Sequence, residues 1–207
     1  MMIEKTKDNL VRDIYNLCSS SVLAGICISI GCVVNLMAGG GIAGAVLFTF
    51  GLIAVVHYKY SLYTGTAGFV TKKDIRNGNL FMILGGNILG CILMSALITE
   101  AIPEIVSKCN VIVEARAQST ILQALIRSIF CGFLMTTAVK FAREGRWLPL
   151  LWAVPVFIIA GFYHSIADCF YISVVNTIDK QVFYNWLITI LGNFIGCNLY
   201  RLKFVDK

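Results

Sequence analysis

Charged residues are scarce in this sequence. Asp, Glu, Lys and Arg make up 14% of its 207 residues, whereas about a quarter of the residues of a soluble domain are charged. Hydrophobic residues make up 58%, and the mean hydropathy is +0.81. This composition excludes an ordinary soluble domain and indicates an all-α integral membrane protein. The net charge of +6 does not indicate a nucleic-acid partner, because the basic residues fall between hydrophobic runs.

Residues that bind metals or phosphates are also few. His57 and His164 are the only histidines, and no two of the eight cysteines form a Cys-x-x-Cys pair. The sequence has no Glu-rich or Cys/His cluster, and no glycine-rich phosphate loop follows a strand. We therefore expect no metal, no cofactor and no enzymatic activity. The cysteines are expected to pack as small buried hydrophobic residues.

Six apolar runs reach the length of roughly 20 residues that a membrane-spanning helix needs. They cover about residues 19–37, 42–65, 79–98, 121–141, 147–175 and 181–200. Before them, residues 1–18 are polar, with Leu10, Ile14 and Leu17 at helical spacing, which predicts a short amphipathic helix. Residues 201–207 form a tail.

The distribution of lysine and arginine predicts the orientation of these spans. Twelve basic residues lie on the side of the termini, whereas only Lys108, Arg116 and Lys180 lie in loops on the opposite side. The positive-inside rule then places both termini in the cytoplasm, with the spans in the plasma membrane.

Polar residues interrupt the second and fifth runs. The fifth contains Gly161-Phe162-Tyr163-His164-Ser165-Ile166-Ala167-Asp168, and the second contains His57, Lys59 and Thr64-Gly65-Thr66. An ionisable residue at membrane depth usually faces a protein interior or a watery cavity. We predict that both helices are broken near the midplane and that His164 lies in a pore or binding site. The alternative is a histidine that packs between helices and bonds a backbone carbonyl.

A short motif occurs twice, once in each half of the chain. Gly86-Asn87-Ile88-Leu89-Gly90-Cys91 in the third run returns as Gly192-Asn193-Phe194-Ile195-Gly196-Cys197 in the sixth. Leu62-Tyr63-Thr64-Gly65 is likewise matched with Phe162-Tyr163-His164-Ser165. Three spans per half predict two inverted repeats, residues 19–100 and 120–200. Asn87 and Asn193 are predicted to fasten helices to loops; the alternative to a repeat is chance similarity.

These motifs resemble the formate/nitrite transporter family. Residues 161–168 are similar to its signature Gly-Phe-Glu-His-Ser-Ile/Val-Ala-Asn, residues 62–65 to its Leu-Phe-Thr-Gly loop, and residues 191–196 to its Leu-Gly-Asn-x-Ile-Gly. The resemblance implies an aquaporin-like protomer of six helices with helices two and five broken. It also implies a homopentamer in the lipid bilayer, with a pore in each protomer for small anions of weak acids such as formate, nitrite, hydrosulfide and lactate.

The resemblance also implies roles for individual residues. His164 is expected as the central pore histidine, Thr64 on the loop facing it, and Arg116 in a vestibule. Other residues expected in or beside the pore are Lys59, Tyr163, Ser165 and Asp168. The sequence departs from the family pattern at Ser61, Lys59, Gly132, Tyr163 and Asp168, where the family has an acid, a small residue, asparagine, glutamate and asparagine.

The lost acids and the added lysine favour anions, unless Asp168 pairs with Lys59 or Arg127. The helix breaks would aim positive helix ends at the solute. In one mechanism His164 lends a proton to the anion, since the unperturbed pKa of a histidine is about 6.5; in the other it stays neutral and only donates a hydrogen bond. For Lys59, a position at the membrane interface is as well supported as a position in the pore. Arg127 is expected to have a structural role near a helix end. The alternatives to an anion channel are a channel for a neutral small solute or ammonium, and a non-conducting sensor.

Overall fold

The computed structural model describes residues 2–71, 74, 78–176 and 179–202, with side chains from Asn9 onward. Regular structure in these residues is helical throughout, without strands. The helices are α1 (Met2–Met37), α2 (Gly41–His57), α3 (Tyr63–Thr66), α4 (Asn79–Ala101), α5 (Ile105–Ala117), α6 (Ile121–Arg143), α7 (Leu148–Ile159), α8 (Ser165–Val175) and α9 (Lys180–Asn198), followed by a 3-10 turn at Leu199–Arg201. Residues 72, 73 and 75–77, between the second and third runs, and residues 203–207 of the predicted tail 201–207 lie outside the described part.

Four helical stretches are long and apolar enough to cross a membrane. They are Asn9–Met37, Asn79–Ala101, Ile121–Arg143 and Lys180–Arg201. Shorter apolar helices occupy Gly41–His57, Leu148–Ile159 and Ser165–Val175. The predicted second run therefore contains α2 and α3, and the predicted fifth run contains α7 and α8.

The outer surface of the fold is strongly apolar. Large side chains such as Ile42, Phe81, Leu97 and Trp152 are 72%, 75%, 70% and 66% exposed. Exposure of many large apolar residues on several helices is unfavourable in water, since monomeric soluble proteins rarely expose large contiguous apolar patches. Together with the apolar helices, this surface identifies a membrane-embedded protein.

The N-terminal region differs from the expectation. No break separates residues 1–18 from the first span, because α1 is one continuous helix from Met2 to Met37. The connection between the third and fourth runs contains a helix, α5, with Ile105, Cys109 and Val113 buried along one face. Spacing of four residues puts these three side chains on the same side of the helix.

Helices α1 and α4 pack along one another, and so do α6 and α9. In both pairs a glycine lets two backbones approach, since a Cβ on Gly90 would clash with the carbonyl of Val22 and a Cβ on Gly196 with the carbonyl of Ile129. Small residues have this function in membrane helix pairs generally. The two pairs form the frame that holds the turns described next.

Candidate pore site

Two similar turns lie at the centre of the fold. Helix α2 ends at His57 and helix α7 ends at Ile159, and each is followed by five non-helical residues before the next helix begins. Lys59 in the first turn and Gly161 in the second have left-handed backbones, with φ of 58° and 67°. The amide N–H groups of Tyr60 and Phe162 then donate to carbonyls five residues earlier, at 2.8 and 2.9 Å. Both helices therefore end in the same type of turn.

Asn87 on α4 fastens the first turn. Its Oδ1 accepts a hydrogen bond from the backbone N–H of Tyr63 at 2.7 Å. Its Nδ2 donates to the carbonyls of Ser61 at 2.9 Å and Ser21 at 2.8 Å. The fully buried amide thus joins α1, α4 and the start of α3.

Asn193 on α9 makes the same contacts with the second turn. Its Oδ1 accepts from the backbone N–H of Ser165 at 2.8 Å. Its Nδ2 donates to the carbonyls of Tyr163 at 2.9 Å and Ser128 at 2.8 Å. The turn is non-helical, so its backbone groups depend on this amide rather than on neighbours in the chain.

The buried cysteines cross between the two turns. Cys91, four residues after Asn87, donates to the carbonyl of Ile166 at 3.4 Å, and Cys197, four residues after Asn193, donates to the carbonyl of Thr64 at 3.1 Å. Cys91 and Cys197 occupy equivalent positions, so their acceptors, Ile166 and Thr64, are equivalent as well. Two residues earlier in each segment, Leu62 is then the equivalent of His164. The pairing of Thr64 with His164 that the sequence comparison gave is therefore wrong by two residues.

Thr64 and His164 nevertheless meet in space. Thr64 Oγ1 lies 2.8 Å from Nε2 of His164, and both residues are buried. His164 also caps the N-terminus of α8, where its Nδ1 accepts from the backbone N–H of Ala167 at 3.1 Å. Because Nδ1 accepts, the proton of a neutral ring lies on Nε2, which donates to Thr64.

Aromatic rings surround this pair. The ring of Phe157 stacks on His164 with centroids 5.8 Å apart, and Phe48 meets Phe157 edge-on at 5.9 Å. The sequence did not single out either phenylalanine, because an aromatic residue in an apolar helix gives no local signal of its neighbours. They make one side of the histidine apolar.

Two cavities that share no lining residue lie beside the two turns. The first, which we call the Lys59 cavity, has a volume of about 440 Å³ and is lined by residues including Lys59, Tyr60, Leu62, Arg143 and Trp147. The second, the Arg116 cavity, has a volume of about 260 Å³ and is lined by residues including Asn35, Phe157, Arg116, His164 and Asp168. His164 thus lines one cavity, while Leu62, its counterpart in the first turn, lines the other.

Asp168 has a different partner from those expected. Nε of Arg116 lies 3.0 Å from Oδ1 of Asp168, and the two side chains are 17% and 3% exposed. The expected pairing of Asp168 with Lys59 or Arg127 is wrong: Lys59 lies exposed at the end of α2, in the other cavity. The ion pair cancels much of the positive charge that Arg116 alone would bring to its cavity.

Tyr163 takes part in a polar cluster beside the ion pair. Nη1 of Arg127 donates to its hydroxyl at 3.0 Å, and the hydroxyl also shares a short hydrogen bond with Ser119. The guanidinium of Arg116 stacks on the ring, 3.6 Å from its centroid. In the matching position of the first turn, Ser61 bonds Ser20 at 2.9 Å. A Ser–Ser and an Arg–Tyr contact thus occupy equivalent places.

Ser165 is fully buried, and its hydroxyl has no hydrogen-bond partner among the described residues. Its carbonyl accepts from Nε1 of Trp186 on α9 at 2.8 Å. Sequence analysis missed Trp186, because only the fold brings these residues together. Within the described part of the chain, no group of three or more His, Cys, Asp or Glu residues is arranged to hold a metal ion.

A family model for the formate/nitrite transporter matches residues 1–202 of the sequence. The chain belongs to this family. Among solved structures, one described as a pentameric formate channel with formate bound is similar to it, with a TM-score of 0.80 and 19% identity over 92% of this chain and 95% of that one. Another, described as an FNT family ion channel, has a TM-score of 0.80 and 18% identity over 92% and 88%. No curated protein matches.

The two structural likenesses establish the fold, and the family match confirms the resemblance found in the sequence. Both relatives are channels, in agreement with the expectation of a transport protein rather than an enzyme.

Proposed function

We propose that this formate/nitrite transporter family member is a channel for small monovalent anions of weak acids, of the formate, nitrite and hydrosulfide class. The observation that carries the proposal is the hydrogen bond of 2.8 Å between His164 Nε2 and Thr64 Oγ1 in apolar surroundings. One cavity lies beside each of the two turns next to this pair. Narrow apolar layers with a few hydrogen-bonding groups are a common basis of selectivity in channels. His164 is the central pore residue in this proposal.

The proposed architecture has six spans in two inverted repeats, residues 19–100 and 120–200, in an aquaporin-like arrangement. Helices α2 and α3 are the two parts of the broken second span, and α7 and α8 those of the broken fifth. The twin amides Asn87 and Asn193 support this proposal, because each holds the break of its own half in the same way. A homopentamer in the plasma membrane, with both termini cytoplasmic, completes it; the pentameric formate channel supports the assembly.

His164 works as a neutral hydrogen-bond donor in the proposed mechanism. Nδ1 of His164 now accepts a hydrogen bond from the backbone N–H of Ala167 at 3.1 Å. If Nδ1 were protonated, two N–H groups would face each other, and α8 would lose its N-terminal cap. The solute instead replaces Thr64 as the partner of Nε2–H or accepts from the Thr64 hydroxyl. A bare anion is costly in such an apolar layer, so these donors lower its barrier. The geometry favours this version over proton donation by His164.

The test is anion flux into liposomes against pH, for the wild type and for His164→Asn, which keeps a cap acceptor and removes the ring. Flux is expected to fall at least tenfold in the variant. The shape of the pH profile should not change, because in this mechanism the solute is the group that gains and loses a proton. His57→Asn is the matched comparison, since His57 lines the Lys59 cavity at the end of α2 but makes no hydrogen bond to the His164–Thr64 pair. A profile that loses its pH dependence with His164 would favour proton donation, and wild-type flux in His164→Asn would refute a pore role.

A channel for a neutral small solute or ammonium is the second candidate. The observation that favours it is the Arg116–Asp168 pair, which leaves the Arg116 cavity with less net positive charge than the arginine alone would give. Selective flux of an uncharged solute, with no formate or nitrite flux, would support this candidate. Absence of flux for all solutes would favour a non-conducting sensor.

A further inference from the structure

One buried amide in the Arg116 cavity has no hydrogen-bond partner within the described part of the chain. Asn35 lies near the end of α1, is 6% exposed and lines the cavity together with Arg116, Asp168 and His164. Its Oδ1 is buried and has no hydrogen-bond partner among the described residues. An unsatisfied buried polar atom costs about 1–3 kcal/mol, so such atoms in native proteins call for an explanation.

The other buried asparagines show that this is unusual within the fold. Asn87 and Asn193 each make three hydrogen bonds to the turns. The side chain of Asn185 donates to the carbonyls of Arg116 and Ser119 at 2.9 and 2.8 Å. Each of these amides fastens one segment of backbone to another, whereas Asn35 fastens nothing.

The position of Asn35 is closely fitted on its other side. Gly44 of α2 packs against it, and a Cβ on that glycine would lie 2.6 Å from Oδ1 of Asn35. A glycine at this point leaves room for the amide oxygen, and the residue lines the cavity from the end of α1. A leucine of similar size would fill the same space without a hydrogen-bonding cost, so packing alone does not account for an amide.

We propose that Asn35 is a solute-recognition residue, whose carboxamide hydrogen-bonds a small oxygen-bearing anion, a carboxylate or nitrite, in the Arg116 cavity on its way to His164. This inference rests on the proposed channel function. An amide N–H donates to the anion, and after rotation of the amide group its oxygen accepts from the O–H of the protonated acid. Asn35 therefore suits a solute that is present in both forms, and it favours oxygen-bearing anions over hydrosulfide, which has no oxygen acceptor.

The experiment compares Asn35→Leu with the wild type in vesicles of both orientations. The half-saturation concentration for formate is expected to rise about tenfold when the solute enters from the Arg116 cavity, as for loss of one hydrogen bond to a charged group. Entry from the side of the Lys59 cavity should keep its half-saturation concentration, and hydrosulfide should change less than twofold. Asn110→Leu, the same substitution at a half-buried position of α5, is the control.

The comparison of entry from the two sides distinguishes solute recognition by Asn35 from a structural role. A damaged fold would alter the half-saturation concentration for entry from both sides and for every solute. An unchanged half-saturation concentration in a conducting Asn35→Leu protein, or equal changes on both sides, would overturn the inference and leave the channel function intact. If that variant fails to assemble, Asn35→Ser takes its place with the same expectation and the same contradicting results. Absence of anion flux in the wild type would instead overturn the proposed function itself, and the inference with it.

Discussion

Replacement of Asn193 by alanine should release the turn that carries His164. The substitution removes three hydrogen bonds, to the N–H of Ser165 and the carbonyls of Tyr163 and Ser128, at 2.8, 2.9 and 2.8 Å. Ser128 lies inside α6, where its carbonyl is positioned for a helical bond as well. The groups of Tyr163 and Ser165 flank the histidine in a non-helical turn, and they lose a buried partner outright.

The magnitude follows from these two orphaned groups. An unsatisfied buried backbone group costs about 1–3 kcal/mol, so Asn193→Ala should lower the free energy of unfolding by about 2–6 kcal/mol. The measurement is a denaturant titration in mixed micelles, followed by circular dichroism, together with formate flux. Flux should fall because the N-terminus of α8 and the ring of His164 are no longer held.

Matched variants make the test specific. Asn16→Ala, at an exposed position of α1, should change stability by less than about 0.5 kcal/mol. Asn87→Ala should cost about as much as Asn193→Ala, since its three bonds are equivalent. A loss below about 1 kcal/mol at either amide would refute the claim that these side chains hold the turns.

Three further predictions concern glycine packing, the ion pair and the lysine. Gly196→Ala should lower the melting temperature because its Cβ would meet a backbone carbonyl of α6, whereas Gly85→Ala, with nothing within 4 Å, should not; equal effects would contradict the packing argument. Arg116→Ala should destabilise the fold by about 3–5 kcal/mol, because it leaves the Asp168 carboxylate buried and unpaired. Asp168→Asn should raise anion flux, because it frees the guanidinium of Arg116. Unchanged anion flux in Asp168→Asn would show that the pair does not control the charge at the cavity. In Lys59→Gly the new residue suits the backbone φ of 58° at this position. The variant should conduct anions less well at low salt and leave the flux of a neutral solute unchanged. An equal loss of both fluxes would exclude an electrostatic role of Lys59.

The sequence was informative about class and family. Its low charge and long apolar runs predicted a helical membrane protein, and the motifs around His164 and Asn193 indicated the family that the comparison confirms. Both conclusions depend on local patterns, which a sequence displays directly. The limits of the long helices α4, α6 and α9 were likewise close to those predicted.

Contacts between distant segments were not predictable in the same way. The partner of Asp168 is Arg116, which lies 52 residues away in sequence on helix α5, between the third and fourth runs. The sequence predicted an interruption in the second run but not its exact position: α2 ends at His57, and Lys59 adopts a left-handed conformation that glycine usually occupies. The predicted match between the two turns was two residues off, because it was set by similar letters rather than by the hydrogen bonds of Asn87 and Asn193.

The most direct test of the central claim is stopped-flow flux in liposomes containing the purified protein. Formate, nitrite, hydrosulfide and an uncharged solute of similar size would be offered at two pH values, with His164→Asn alongside the wild type. The proposed channel predicts anion flux in the wild type, little flux of the uncharged solute, and loss of anion flux in His164→Asn. Flux of the uncharged solute alone, or anion flux that survives in His164→Asn, would contradict an anion channel centred on this histidine.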